Sequence, residues 1–206
     1  EMYYENHRGT FTSQAFVKKN NRRGEYAIER NEMLGVIAQK ICGAEYQREK
    51  IETAWQLLLT NQFHDILPGS SIHAVFEDCK KEYALLRKMN RELRNDLLAL
   101  LNAQVKTEGD SIVCWNLLSC ENAMPVQVKT ADNSLVPLGE DGKALPHVFE
   151  RQEDGYLLTF TPDEPLPVFG FKVFKLGKAE VDCDSVTATQ SLLENSRLKV
   201  EFDENG

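Results

Sequence analysis

The sequence predicts an α+β chain of more than one domain, an antiparallel three-helix bundle followed by a small β-sandwich, and three observations carry that prediction. Apolar residues recur at helical intervals between residues 24 and 104. Beyond Val105 the pattern shortens to strand-like runs punctuated by proline and glycine. At 206 residues, 42% hydrophobic and 27% charged, the chain carries enough apolar side chain for one large or two small cores, and disorder is a poor description of it.

The first helix is expected over 24–42, where Tyr26, Met33, Leu34, Ile37, Ala38 and Ile41 recur at helical spacing and Gly43 supplies a stop. Residues 1–23 read as an incoming loop. The second helix spans about 46–65, with Ile51, Ala54, Trp55, Leu58 and Leu59 on one face. Pro68 and Gly69 then break the chain, Ser70 or Ser71 offers an N-cap, and Glu77 and Asp78 suit the early turns of a third helix. That helix is expected over 72–104, roughly 50 Å at about 1.5 Å per residue. Its seam is heptad-like: Ile72, Phe76, Cys79, Tyr83, Leu86, Leu93, Leu97 and Leu100, with Asn90 the one polar member. Short links between consecutive amphipathic helices imply an antiparallel bundle over 24–105.

Strands are expected at 111–117, 125–129, 156–161, 170–176 and 198–202, with turns at Asp141-Gly142 and Asp154-Gly155. The sandwich occupies 107–182, and 183–206 reads as the first strand of a truncated further β-domain. Both ends of the chain look cut from something longer, since it opens at Glu1-Met2-Tyr3 and closes on an Asn205-Gly206 turn signal with no return strand.

Charge is unevenly placed: residues 1–105 carry 15 basic and 14 acidic groups, and 106–206 carry 9 and 18. The acidic half would repel phosphates, so nucleic acid is excluded as a partner, and the cluster Lys18-Lys19-Asn20-Asn21-Arg22-Arg23 is expected to be a solvated loop. No run of eighteen apolar residues and no charged leader before an apolar stretch is visible, which argues against a membrane. Five widely spaced cysteines without a Cys-x-x-Cys pair suit buried free thiols, and the lack of an Asn-x-Ser/Thr acceptor fits a cytoplasmic setting.

Four histidines are present, and His64 stands in the most suggestive context, Asn61-Gln62-Phe63-His64-Asp65-Ile66-Leu67-Pro68-Gly69. A histidine near a helix C-terminus commonly serves the helix dipole or a carbonyl. At about 100° per residue, however, His64 projects roughly 150° from the Ile51–Leu59 stripe, so it is not a core histidine, while Phe63 and Ile66 prolong the apolar face. An adjacent His and Asp make no complete metal site, because a catalytic zinc takes about three protein ligands. The polar stretch around Arg8 and Gly9 is either a linker or a loop whose Arg holds hydroxyls or carboxylates. His73 reads as surface, His147 as structural, and Trp55 and Trp115 as packing.

Two stretches resemble the α-mannosidases of glycoside hydrolase family 38: Glu1-Met2-Tyr3-Tyr4-Glu5-Asn6-His7-Arg8-Gly9-Thr10-Phe11-Thr12-Ser13-Gln14, and the run from Ala54-Trp55-Gln56 through His64-Asp65-Ile66-Leu67-Pro68-Gly69-Ser70-Ser71-Ile72. The resemblance implies retaining hydrolysis of terminal α-mannosides, with a divalent metal, most commonly zinc, gripping sugar hydroxyls. It implies that His64 is a metal ligand, that Asp65 contacts the sugar, and that Arg8 lies near the active site. The remaining ligands, the nucleophile and the acid/base group belong to the family's N-terminal domain, so no catalytic residue is expected in this chain. Retaining hydrolysis needs two carboxyls about 5 Å apart, which Asp65 alone does not supply. The chain by itself is therefore expected to fold but neither to hydrolyse mannosides nor to bind zinc tightly. Expected partners are mannose-containing oligosaccharides, the other domains of the parent chain, and further copies of the parent as a homo-oligomer. The competing reading is a non-catalytic interaction or carbohydrate-binding module that dimerises through an exposed seam on its third helix.

Overall fold

Three proline-free stretches close into helices, α1 (Ala15–Cys42), α2 (Arg48–Thr60) and α3 (His73–Asn102), in a computed structural model that describes residues 8–180 and 186–203. The chain divides into two units, residues 1–106 and 107–206.

In the helical unit the chain runs up, down and up again. Trp55 reaches Glu32 and Gln62 reaches Asn21, so α2 is antiparallel to α1; Asn61 reaches Glu82, so α3 returns antiparallel to α2. The long helices α1 and α3 run in the same direction. Their shared seam is Val17, Asn21, Gly24, Ile28, Asn31, Gly35 and Ala38 against Phe76, Cys79, Tyr83, Leu86, Asn90, Leu93 and Leu97, alternate steps of three and four on both helices. The seam expected to lie open for dimerisation is thus buried within the chain.

Several expectations change here. α1 begins at Ala15, nine residues before the expected start, and the basic run Lys18 to Arg23 is helical rather than looped. Asn21, Gly24 and Asn31 occupy seam positions, and their polarity or lack of side chain conceals the apolar period. Gly24 is a packing glycine: a Cβ there would come within 2.8 Å of a Leu58 methyl and 3.1 Å of a Leu86 methyl, so its bareness lets three helices close. Tyr26, Met33 and Ile41 are exposed, as is Leu59 on α2. At the far end of α3, Leu101 replaces Leu100 in the core. A helix of about 3.6 residues per turn drifts from a strict heptad, and by the last turn the seam has moved one residue on. Ile72, the expected first seam residue, is the exposed N-cap of α3.

Inside the seam the Asn31 Nδ2 donates to the Asn90 backbone O at 3.0 Å and to its Oδ1 at 2.9 Å, while Asn90 Nδ2 donates to Leu86 O at 3.0 Å. One paired polar layer of this kind sets the register of two helices at some cost in stability. Gly43 ends α1 as expected, in the left-handed region at φ 67°, with its N–H donating to Ala38 O.

The second unit holds β1 (Ser111–Asn116), β2 (Val126–Thr130), β3 (Val136–Pro137), β4 (His147–Gln152), β5 (Gly155–Phe160) and β6 (Gly170–Gly177). They form two antiparallel three-stranded sheets, in order β1-β6-β3 and β2-β5-β4. Leu145, Leu158, Phe160 and Phe174 make the core between them, with Ile112, Cys114, Val126, Val128 and Phe149 packed around it. Phe160 of one sheet meets Phe174 of the other edge-on, ring centroids 4.9 Å apart. β4 escapes the sequence pattern because it is an edge strand, with Glu150 and Arg151 exposed and only His147 and Phe149 turned partly inward.

Asn116, fully buried at the end of β1, ties two loops together. Its Nδ2 donates to Cys120 O and Pro167 O at 2.8 and 2.9 Å, and its Oδ1 accepts from Leu118 N at 3.0 Å. After the sandwich come β7 (Thr187–Ala188), β8 (Leu192–Glu194) and β9 (Lys199–Glu201), an antiparallel meander where one strand was expected. Hairpin pairing needs only short runs, too brief to show a two-residue period. The start of that expected segment, and the Asn205-Gly206 turn, lie outside the described residues. Of the cysteines, Cys79 is buried, Cys42 and Cys114 are half-buried and Cys120 is exposed; Cys183 lies outside the described residues. Burial pushes the Cys114 thiol up to about 11, which keeps it protonated and unreactive at neutral pH.

Candidate functional site

α2 stops at Thr60, five residues before the expected end, and the chain enters a series of turns that carries His64 and Asp65. Asn61 enforces the stop: its Nδ2 donates to Leu57 O at 3.0 Å and to Glu82 Oε2 at 2.7 Å. The turns are closed by Ile66 N and Leu67 N donating to Phe63 O, Gly69 N to Ile66 O and Ser70 N to Asp65 O, at 2.8 to 3.2 Å. Ser70, expected as an N-cap for α3, instead sits 3.4 Å from the Asp65 carboxylate.

A second turn leads into α1. Gly9 lies at φ 79°, and Thr12 N and Ser13 N both donate to its carbonyl. This turn is fastened to the first. Lys18 Nζ donates to Ser13 O on one side and to Pro68 O at 3.0 Å on the other, and Ser13 Oγ donates to Gly69 O at 3.2 Å. Burial draws the Lys18 ammonium below its ordinary pKa, while the two carbonyls accept its hydrogen bonds. Gly69 is required at φ 88°, because a Cβ would meet Ser13 Oγ at 2.8 Å and Ser13 O at 2.9 Å. Farther in, Gln62 Nε2 donates to Asn21 Oδ1 and Glu25 Oε1, both at 3.0 Å, anchoring the segment just before His64.

On this frame the His64 side chain is 77% exposed, its Nε2 3.4 Å from Asp65 Oδ2 and its ring 4.2 Å from the Phe63 ring. The imidazole meets no helix carbonyl among the described residues, so the capping alternative has no bond to rest on. Phe63 is 54% exposed and does not prolong the α2 core face as expected; it backs the imidazole from the side. His64 borders an open hollow of about 550 Å³ with Thr10, Phe11, Arg22, Gln62 and Leu67. Asp65 is 53% exposed beside it, and Arg8 is exposed at the head of the Gly9 turn. His7 lies outside the described residues. His73 is exposed at the start of α3, near Glu77, and His147 Nδ1 lies 2.8 Å from Leu145 O within the sandwich. Trp55 packs partly and donates to Glu32, and Trp115 stacks on Phe171 with centroids 4.8 Å apart.

The donors are chemically suited to a zinc-type cation, an imidazole nitrogen beside a carboxylate that can orient it. They are too few: no group of three His, Cys, Asp or Glu side chains gathers among the described residues. The described residues by themselves make no coordination shell. Sequence spacing left Lys18, Asn21 and Gln62 unmarked, because Lys18 works on main-chain carbonyls about fifty residues away and the amides pair across helices. Gly69, read from the sequence with Pro68 as a chain break, is the glycine that the approach of Ser13 requires.

Residues 5–101 match the family described as the alpha mannosidase middle domain. Among curated relatives, alpha-mannosidase G of Dictyostelium discoideum is 42% identical over 81 residues, which is 39% of this chain and 7% of that protein. Alpha-mannosidase 2C1 of Mus musculus is 36% identical over 104 residues, 50% of this chain and 10% of that protein. The chain thus spans a tenth or less of the curated relatives it matches. A solved protein of glycosyl hydrolase family 38 from Enterococcus faecalis shares the fold with a TM-score of 0.71 at 17% identity, over 96% of this chain and 29% of that one. An alpha-mannosidase from Enterococcus faecalis V583 gives 0.69, also at 17% identity, over 96% and 28%. The helical unit is thus similar in sequence to the alpha mannosidase middle domain, and the chain shares its fold with solved proteins of glycosyl hydrolase family 38.

Proposed function

We propose that this chain is part of a retaining, metal-dependent α-mannosidase acting on mannose-containing oligosaccharides. In it His64 gives one ligand to a divalent metal, zinc on its donor chemistry, and Asp65 and Arg8 face the sugar hydroxyls. A metal bound there would hold and polarise sugar hydroxyls; the further ligands and both catalytic carboxyls would come from outside these residues. What the chain itself does is position. The Lys18 clamp holds the Arg8 and His64 turns together, the Gln62 anchor fixes the approach to His64, and Asp65 orients the imidazole.

The observation that carries this reading is the presentation of His64: an exposed ring on a braced turn, with a carboxylate at 3.4 Å and no carbonyl to cap. The module reading is disfavoured because the α3 seam it needs for dimerisation is buried against α1. The setting proposed for the parent is cytoplasmic, resting on the unpaired cysteines and the lack of a glycosylation acceptor.

In the intact parent, His64→Ala should abolish metal-dependent hydrolysis of an aryl α-mannoside; retained activity would refute the ligand role. The 206-residue chain incubated with the same substrate and zinc should give no turnover, and turnover above blank would overturn the division of labour.

A further inference from the structure

On the α1–α3 pair lies a groove lined by those two helices alone, and its walls carry four arginines, Arg30, Arg87, Arg91 and Arg94. Ala27 opens it and Asn90 lies in its floor, enclosing about 110 Å³. No carboxylate lines it. None of the four guanidiniums is ion-paired among the described residues, although the chain as a whole is acidic. Three are held by hydrogen bonds: Arg87 donates to Asn20 Oδ1 at 2.8 Å, Arg30 Nε to Tyr26 O at 2.9 Å, and Arg94 Nη2 to Asn95 Oδ1 at 3.2 Å. Four unneutralised like charges in one groove repel one another, a cost relieved by an anion and by no protein group among those described.

A second, smaller cavity adjoins the groove. This cavity of about 20 Å³ shares Ala27, Arg87 and Asn90 with the groove and is also lined by Arg23 and Tyr83. Tyr83 is 2% exposed, and its hydroxyl is buried with no hydrogen-bond partner among the described residues. A buried hydroxyl without a partner costs about 1–3 kcal/mol, and Tyr83 lines the small cavity rather than the groove itself. Guanidinium forks match tetrahedral oxyanions two bonds at a time. The groove, at about 30 Å³ per water, holds a phosphate group with little more than its first waters.

We propose that the α1–α3 groove is a binding site for a phosphate-type oxyanion, free or carried on a sugar as a phosphomonoester, held by Arg30, Arg87, Arg91 and Arg94. The site is separate from the His64 turns and does not depend on the mannosidase reading.

The test is titration of inorganic phosphate into the 206-residue chain by calorimetry and thermal melting, with sodium chloride holding ionic strength constant. Saturable binding is expected, with the melting temperature of the helical unit raised by about 3–6 °C at ten times Kd. The pair Arg87→Gln and Arg91→Gln, both on the surface, should weaken binding at least tenfold. The pair Lys81→Gln and Lys88→Gln, removing the same charge elsewhere on α3, should change it less than twofold. Tighter binding of a hexose phosphomonoester than of phosphate assigns the carried form, and equal binding assigns the free anion. Absence of saturable binding at constant ionic strength, equal losses in the arginine and lysine pairs, or binding of polyglutamate in preference to phosphate would overturn the proposal.

Discussion

The two units stabilise themselves in opposite ways. The β unit closes on an apolar centre, Leu145, Leu158, Phe160 and Phe174, and keeps its chief buried polar group, Asn116, at the margin tying loops. The helical unit places Asn21, Gly24, Asn31 and Asn90 in the middle of its seam and accepts a less oily core. The difference teaches where precision is needed. A sandwich core tolerates small slips as long as volume is filled, whereas the helical unit must hold the Arg8 turn and the His64 turn in one relation at its end. Paired asparagines and packing glycines select one register, which apolar seams alone leave degenerate.

Each unit contains one of the chain's two tryptophans, Trp55 and Trp115, so unfolding of each can be followed separately in single Trp→Phe variants. The largest expected effect is on the apolar side of the comparison. Phe174→Ala should cost the β unit about 3–5 kcal/mol, read as an early denaturant transition of Trp115 fluorescence. The Trp55 transition should stay in place; joint movement would show that the units are not independent.

Next is the polar seam. Asn90→Ala leaves the Asn31 amide buried without its side-chain partner and should cost the helical unit about 1–3 kcal/mol in the Trp55 transition. Replacing both, Asn31→Leu with Asn90→Leu, should recover most of that stability. It should also broaden the amide resonances around residues 62–69, since register is then less defined. Unchanged resonances in the double variant would deny the asparagine pair its register role.

The smallest effect separates the units by pH. Burial alone would raise the Asp163 carboxyl, but the Lys172 hydrogen bond and the Glu140 amide together hold it below its ordinary value. A carboxyl depressed in the folded state stabilises it above the unfolded pKa, near 4, and that contribution fades as pH falls through the folded value. The β unit should therefore lose about 1–3 °C of melting temperature for this group between roughly pH 5 and pH 2. Asp163→Asn should flatten that part of the profile, and an unaltered profile would remove the pair from the account.

Much of the molecule was legible in residue order. The α3 seam from Phe76 to Leu97, the Gly43 stop and strands β1, β2, β5 and β6 all follow from spacing, because each buries one face and polar partners fill the other. The start of α1 was not legible, since its seam is written in asparagine and glycine, residues that ordinarily mark loops. Nor was the end of α2, where the Asn61 amide outcompetes continuation of the helix.

The sequence by itself determined the two-part organisation and carried the family resemblance. Those depend on local period and on a contiguous run from Ala54 to Ile72. Only the tertiary structure decided that His64 is held out on a braced turn, that Lys18 joins segments about fifty residues apart, and that four arginines meet in one groove. Hydrogen bonds to main-chain carbonyls leave no mark in residue type, and like charges scattered along two helices become a cluster only when packing sets those helices side by side.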